Sequence, residues 1–419
     1  MKRIGLDQLG SLIDIRRDDL RVVTSGNSSV PFRTLAAFDS LVREYRLHML
    51  NAPASLPDRE GVMLETPFVG AGMRHSPRLV YFPCRLSQVP LLFGRRLHLD
   101  VVIAHTSVPV DGKVSLGLEV NVIPAAIEAC KASGGVVIAQ MNPQVPYTFG
   151  DGEYDLDVFD AVIEVEEPVL THQEPERDLS LNAGGMTREE GARIIGGYIS
   201  ERVNDGATVQ MGIGDIPDAA LNGLLGKRNL GIWSEVISDG VLELERAGAL
   251  DPNRPIVSSI VYGGADLYKW VHLNDRVRML RTETTNAPQL ISANPGMTSI
   301  NTALQVDLFD QANASRIKAR IFSGFGGQTD FTVGALHAPN GQAIMALRSW
   351  HPKADASTVV PLLEAPVTSF QHSVVVTEQG VAQIAGRDQK GQAVHLIEHA
   401  AHPHARDYLW EEAQELGLA

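Results

Sequence analysis

The sequence predicts an α/β fold with largely parallel sheets, arranged as two similar domains. Three observations point there. Short Val/Ile-rich runs alternate with helix-like stretches along the whole chain, a polar linker divides it near the middle, and both halves carry one glycine–proline–leucine pattern.

The runs come first. LDVVIAHTSV (99–108), GGVVIAQMN (134–142), DAVIEVEE (160–167) and ATVQMGIG (207–214) are Val/Ile-rich and bounded by Gly, Pro or Asn. Continuous apolar runs of this length, without alternation, are the pattern of strands covered on both faces. The linker is PVLTHQEPERDLSLNAGGM (168–186), polar and holding two prolines and a Gly pair. Thr187 and Glu190 follow as a capping box ahead of GARIIGGYISERV, so a helix starts at once. The reading places one domain over 1–185 and a second over 186–419. The internal echo is Gly26, Pro31, Leu35 against Gly212, Pro217, Leu221. Each reads as strand, glycine-bearing turn, then a helix opened by Pro at its first position. Such turns aim backbone N–H groups at the end of a sheet, where partial positive charge collects.

Bulk properties narrow the function classes. The 419 residues leave room for two domains, each with its own core. Apolar residues at 44% and charged residues at 21% are those of a water-soluble globular chain. No run of 18 apolar residues is present, and the opening MKRIGLDQLGSLIDIRRDD does not read as a signal peptide, so a cytoplasmic protein without membrane contact is expected. Cys84 and Cys130 match no metal spacing and read as reduced thiols. The formal net charge of -14 repels phosphate backbones, so nucleic acid is not an expected partner.

Several segments carry possible chemistry. FSGFGGQTDF (322–331) sets Gly324, Gly326 and Gly327 within four residues, followed by polar Gln328 and Asp330. Without Cβ atoms, backbone amides can approach an anion or oxyanion, and a structural turn rarely needs three glycines so close together; the alternative is a plain tight turn. GIWSEVISDG (231–240) places Glu235 in an apolar, β-prone stretch. It reads either as a strand-end acid paired with a base or as a carboxylate held for chemistry, and spacing does not decide. In TETTNAPQLISANPG, Asn286 precedes a Pro-containing turn; GMTSINTALQVDLFDQANA (296–314) reads as a strand and a turn. GIGDIP (212–217) begins like a dinucleotide fingerprint but has Pro217 where the third glycine belongs. HLIEHAAHPH (395–404) holds four histidines, with His395 and His399 four apart, but lacks the HExxH acid, so no metal is expected.

Assembled, these segments resemble the acetyl-CoA hydrolase/transferase family of class I CoA-transferases, which includes 4-hydroxybutyrate, succinyl-CoA:acetate and itaconate CoA-transferases. The resemblance runs from about residue 20 to 415. It rests on SGNSSVP, SVPVDGKVSLG and AQMNPQVPYTFGDGEYDLDVFDAVIE in the first half. In the second it rests on GATVQMGIGDIP, SEVISDG, TTNAPQLI, INTALQVDL, SGFGGQTDF, VVTEQGVA and AHPHARDYL.

The resemblance implies an active site between two similar α/β domains and a homo-oligomeric enzyme. It implies acyl-CoA and carboxylate substrates, with no permanently bound cofactor. Glu235 falls on the family's catalytic glutamate, Asn286 on its asparagine beside the thioester, and Gly327 on its oxyanion glycine. A second oxyanion amide is expected from the first domain's turn, best matched at Val30. Gly324, Gly326 and Gln328 are expected to line the substrate or coenzyme A. Glu60 and Glu65 flank GVML, and with Arg74 in GAGMR they are candidates to meet the acceptor acid, against the alternatives of a surface loop and a surface salt bridge. The chain departs from the family at three places. Trp233-Ser234 stands where many relatives have His-Thr, Thr358 where many have Arg, and the P-P-D-x-x-G turn is shortened to Pro109-Val110-Asp111-Gly112.

Overall fold

The four Val/Ile runs are strands in the computed structural model, which describes residues 1–172, 185–369 and 371–419. The chain divides into two compact units. One comprises Met1–His172, Pro255–Thr285 and Ile321–Gly326; the other comprises Gln173–Arg254, Asn286–Arg320 and Gly327–Ala419. The sequence reading cuts the chain once, after residue 185, whereas these units alternate along it. The linker expected at 168–186 falls mostly outside the described residues.

The first unit is built on eight strands: β1 (Lys2–Arg3), β2 (Leu20–Thr24), β3 (Tyr45–His48), β4 (Val62–Thr66), β5 (Leu79–Tyr81), β6 (Val101–Thr106), β7 (Val136–Met141) and β8 (Ala161–Glu164). They pair in the order β1-β8-β7-β6-β2-β3-β4-β5, every pair parallel. All six residues of β6 are buried, as a strand covered on both faces requires. Helix α1 (Phe32–Leu41) packs Phe38 edge-on against Tyr45, ring centroids 5.1 Å apart, inside a core with Val22, Leu47, Val62 and Ile103. Helix α2 spans Ile123–Ala132. The shortened turn closes as a two-residue hairpin: Asp111 and Gly112 take φ of 49° and 84°, and Val110 and Lys113 exchange both backbone bonds.

In the second unit, helix α3 (Arg188–Arg202) opens with the expected capping box, Glu190 N–H donating to Thr187 Oγ1 and Thr187 N–H to Glu190 Oε2. Its strands are β9 (Thr208–Met211), β10 (Gly231–Trp233), β11 (Thr298–Thr302), β12 (Gln342–Ala346), β13 (Val374–Thr377) and β14 (Gly380–Gln383). They pair in the order β14-β13-β12-β11-β9-β10, parallel except for the β13–β14 hairpin. Thr358, at the departed arginine position, is structural: its Oγ1 donates to the Arg348 carbonyl.

Both halves of the internal echo fold as read, with one correction. Strand β2 leads through a turn to α1, and β9 through Gly212–Gly214 to α4 (Asp215–Gly223). Neither proline opens its helix. Pro31 precedes α1, and Pro217 is the third residue of α4. Proline is tolerated at any of these places because first-turn N–H groups have no intrahelical acceptor.

The C-terminal histidines cap and stack. Helix α5, Gln328–His337, packs on β11 and β12; at the start of α6, Pro403–Glu415, His402 Nδ1 accepts from His404 N–H, and the His402 ring lies 4.9 Å from Trp350. Among the described residues, no helix is long and apolar enough to cross a membrane.

Candidate active site

Glu235 stands two residues beyond β10, in the unpaired break before the next strand residues, Val236–Ile237. Ser234 fixes that exit: its hydroxyl donates to the Met211 carbonyl at 3.0 Å and accepts from Met211 N–H at 3.4 Å, tying the end of β10 to the end of β9. A threonine would supply the same hydroxyl, so this departure from the family pattern keeps the tie. Glu235 therefore emerges at the C-terminal edge of a parallel sheet, beside the Gly212–Gly214 turn that follows β9. α/β folds place their ligands at this edge.

Asn286 and Gly327 meet the carboxylate there. Asn286 Nδ2 donates to Glu235 Oε2 at 2.8 Å. The turn expected after Asn286 is instead a short helix, Pro288–Ser292; its Ile291 packs with Phe331 of α5, and Trp233 of β10 lies against the same small core. Gly334 of α5 admits this packing, since a Cβ there would stand 2.5 Å from Ile291. One apolar cluster thus fixes the three segments that carry Glu235, Asn286 and Gly327. Gly327 is the N-cap of α5 and lies so close that a Cβ would stand 2.0 Å from Glu235 Oε2 and 2.3 Å from Asn286 Nδ2. Its φ of -96° is open to any residue, so closeness to the carboxylate, rather than backbone conformation, requires glycine. Gln328 Nε2 donates to the Thr302 carbonyl at 3.3 Å, which anchors the start of α5 on the end of β11.

The electrostatics suit a reactive acid. Part of Glu235 remains accessible, yet its carboxyl is deeply surrounded by protein. Burial pushes that carboxyl up to about 7, the Asn286 hydrogen bond pulls it back down, and the negative charge of Asp330 raises it further. Asp330 is buried on the first turn of α5. In the sequence it is a polar neighbour of the glycines. An acid three residues after the N-cap glycine was the available signal, but its burial was not legible.

The other candidates lie in the first unit. Val30 is buried at the end of the turn after β2. Gly324 and Gly326 have packing reasons of their own. A Cβ on Gly324 would stand 2.4 Å from the Pro67 carbonyl, and Gly326 takes φ of 56° while its carbonyl accepts from Leu86 N–H. Arg74 is half-buried, its Nε donating to the Phe322 carbonyl and its guanidinium lying 3.8 Å from the Phe322 ring centroid. Glu60 stands exposed before β4. Glu65, by contrast, is a buried structural acid on β4. Burial pushes it up, but His48 and two bonds from Arg21 (2.9 and 3.2 Å) outweigh that and hold it at about 2. His48 Nδ1 is 3.8 Å away, so Arg21 makes the closer contact.

Known proteins resemble this chain over most of its length. A family model described as the acetyl-CoA hydrolase/transferase C-terminal domain matches residues 263–413. The chain is 37% identical over 360 residues to the 4-hydroxybutyrate coenzyme A transferase of Clostridium kluyveri, covering 82% of this chain and 80% of that protein. It is 34% identical over 392 residues to the succinyl-CoA:acetate/propanoyl-CoA:succinate CoA transferase of Fasciola hepatica, covering 89% and 78%. The crystal structure of a 4-hydroxybutyrate CoA-transferase from Porphyromonas gingivalis is similar with a TM-score of 0.78 at 27% identity, covering 99% of this chain and 98% of that one.

Proposed function

The chain belongs to the acetyl-CoA hydrolase/transferase family, and from that premise we propose that it moves coenzyme A from an acyl-CoA to a small carboxylic acid through a covalent bond to Glu235. The observation that carries this reading is the enclosed Glu235 carboxylate, held by Asn286 and pressed against Gly327.

Glu235 attacks the thioester carbonyl, and the C–S bond breaks to release CoA thiolate and an acyl–glutamyl anhydride. The thiolate attacks the glutamyl carbonyl and expels the donor acid as a carboxylate, leaving a glutamyl-CoA thioester. The acceptor carboxylate attacks that thioester, giving a second anhydride and thiolate. The thiolate then takes the acceptor acyl group, and the Glu235 carboxylate is regenerated. No proton is needed at any attack, because each nucleophile is already an anion. Every step passes through a tetrahedral oxyanion, and one well-placed N–H is worth about 3 kcal/mol to it. The Gly327 amide is the first such donor. The second is assigned to Val30 by resemblance, while the Gly212–Gly214 turn offers another in the same unit as Glu235.

The names of the relatives favour 4-hydroxybutyrate or succinate as acceptors, with acetate and itaconate as further members of the class. The terminal nitrogens of Arg74 bond no described residue and suit an acceptor carboxylate. The thiols of Cys84 and Cys130 are free, which fits a cytoplasmic location, and we expect self-association as a dimer or larger.

A hydrolase using the same glutamate is the second reading, supported by the family's own description. The difference is access of water to the anhydride and thioester. Incubating the protein with acyl-CoA, with and without candidate acids, separates the two. Transfer requires the acceptor and yields a new acyl-CoA; steady release of free CoA without an acceptor contradicts transfer. A protein that only binds coenzyme A turns over neither way, and E235Q then changes nothing.

A further inference from the structure

Besides Glu65, which is paired with Arg21, the first unit buries Glu119, an acid that the transfer reaction leaves without a role. Glu119 is 1% exposed, and no cation pairs with it among the described residues. Burying a carboxylate in this way is costly unless hydrogen bonds compensate. Its described side-chain bonds all go to one turn. Oε2 accepts from Gly26 N–H at 3.1 Å and from Asn27 Nδ2 at 3.0 Å.

That turn, Ser25–Val30, is otherwise difficult to hold. Asn27 and Asn51 both sit in the left-handed region, with φ of 45° and 42°. Asn51 Nδ2 donates to Asn27 Oδ1 at 2.8 Å, so the Asn27 amide is clamped on both sides, by Asn51 and by Glu119. Gly26 cannot be replaced, since a Cβ would stand 2.1 Å from the Leu50 carbonyl. The Ser28 and Ser29 hydroxyls are buried in the turn and bond nothing among the described residues. Donors kept dry and unpaired are costly in a merely structural turn and suit one that meets a ligand.

We propose that Glu119 is a positioning residue, whose buried carboxylate holds the Ser25–Val30 turn, through Gly26 and Asn27, in the conformation that presents the Val30 amide to the reacting oxyanion. This rests on the reading that Val30 serves the transfer reaction. Because one oxygen accepts both bonds, a glutamine carbonyl at the same place keeps them, whereas alanine removes both.

The test compares E119A, E119Q and N27A with the wild-type protein by hydrogen exchange over residues 22–38 and by steady-state transfer. E119A and N27A speed exchange across the turn and lower kcat by about tenfold to a hundredfold, with KM within about threefold. E119Q restores slow exchange and kcat to within about threefold. If E119A does not fold, N27A breaks the same clamp from its other side. Wild-type exchange and kcat in E119A or N27A overturn the proposal, as does an E119Q that fails as badly as N27A. Exchange that depends on Glu119 in a wild-type protein that transfers nothing leaves the clamp standing and removes its catalytic use.

Discussion

Replacing Gly327 by alanine adds one methyl group at the most crowded point of the proposed site. The new Cβ would stand 2.0 Å from Glu235 Oε2, 2.3 Å from Asn286 Nδ2 and 3.2 Å from Glu235 Cδ. Carbon does not approach oxygen so closely, so the carboxylate must retreat by about 1 Å, and a misplacement of that size costs about a hundredfold in rate. A hundredfold is about 3 kcal/mol of barrier. The fold should tolerate the change. A φ of -96° suits alanine, and both clashing atoms are the ends of side chains. G327A is therefore expected to keep a wild-type melting temperature to within about 2 °C and to lose about a hundredfold in kcat. Paired transfer assays and thermal melts read both quantities. A soluble G327A with kcat within threefold of wild type would refute the argument that this glycine is reserved for the carboxylate.

Because Glu235 must be ionised to attack and burial pushes it up to about 7, kcat/KM should rise with pH through a limb near 7 and be flat above it; a limb near 4.5 contradicts that assignment. Removing the Asn286 bond in N286A should move this limb to higher pH and lower kcat at pH 7 by about tenfold, which a pH–rate series would show. Burial also pushes Glu119 up to about 7, so between the ordinary 4.5 and about 7 the folded chain binds more protons than the unfolded one at both acids, and stability falls as pH rises through that window. Each acid costs about 3 kcal/mol at pH 8, so E235Q and E119Q should each unfold at higher urea at pH 8 than wild type, with little difference at pH 4.5. Glu65 works oppositely: held at about 2, it stabilises the fold above pH 4.5 and loses that contribution as pH falls towards 2. E65Q should cost about 3 kcal/mol in urea unfolding at pH 7 with kcat unchanged, and a large loss of kcat at full stability would return Glu65 to the site.

The strands were legible because both-face burial leaves an unmistakable composition. The runs at 99–108, 134–142, 160–167 and 207–214 became β6, β7, β8 and β9. The Thr187–Glu190 box was legible because its partners lie three residues apart. Glu235 was ambiguous for the opposite reason. Its partners Asn286 and Gly327 are brought to it by Ile291, Phe331 and Trp233, whose contacts no local pattern announces. The glycine cluster reads in sequence either as a ligand loop or as a tight turn; Gly324 and Gly326 pack against the backbone of Pro67 and Leu86, and Gly327 lies beside the acid. Glu65 looked like Glu60 in sequence. Only the register of β4, which turns it towards Arg21, separates a buried ion pair from a surface acid.

The covalent bond at Glu235 is tested most directly by treating the protein with borohydride after incubation with acyl-CoA and mapping the product by mass spectrometry. A glutamyl thioester is reduced to the alcohol, so activity is lost and residue 235 alone becomes lighter by the mass that conversion requires. Full turnover with residue 235 unmodified, or modification at a different side chain, contradicts the account.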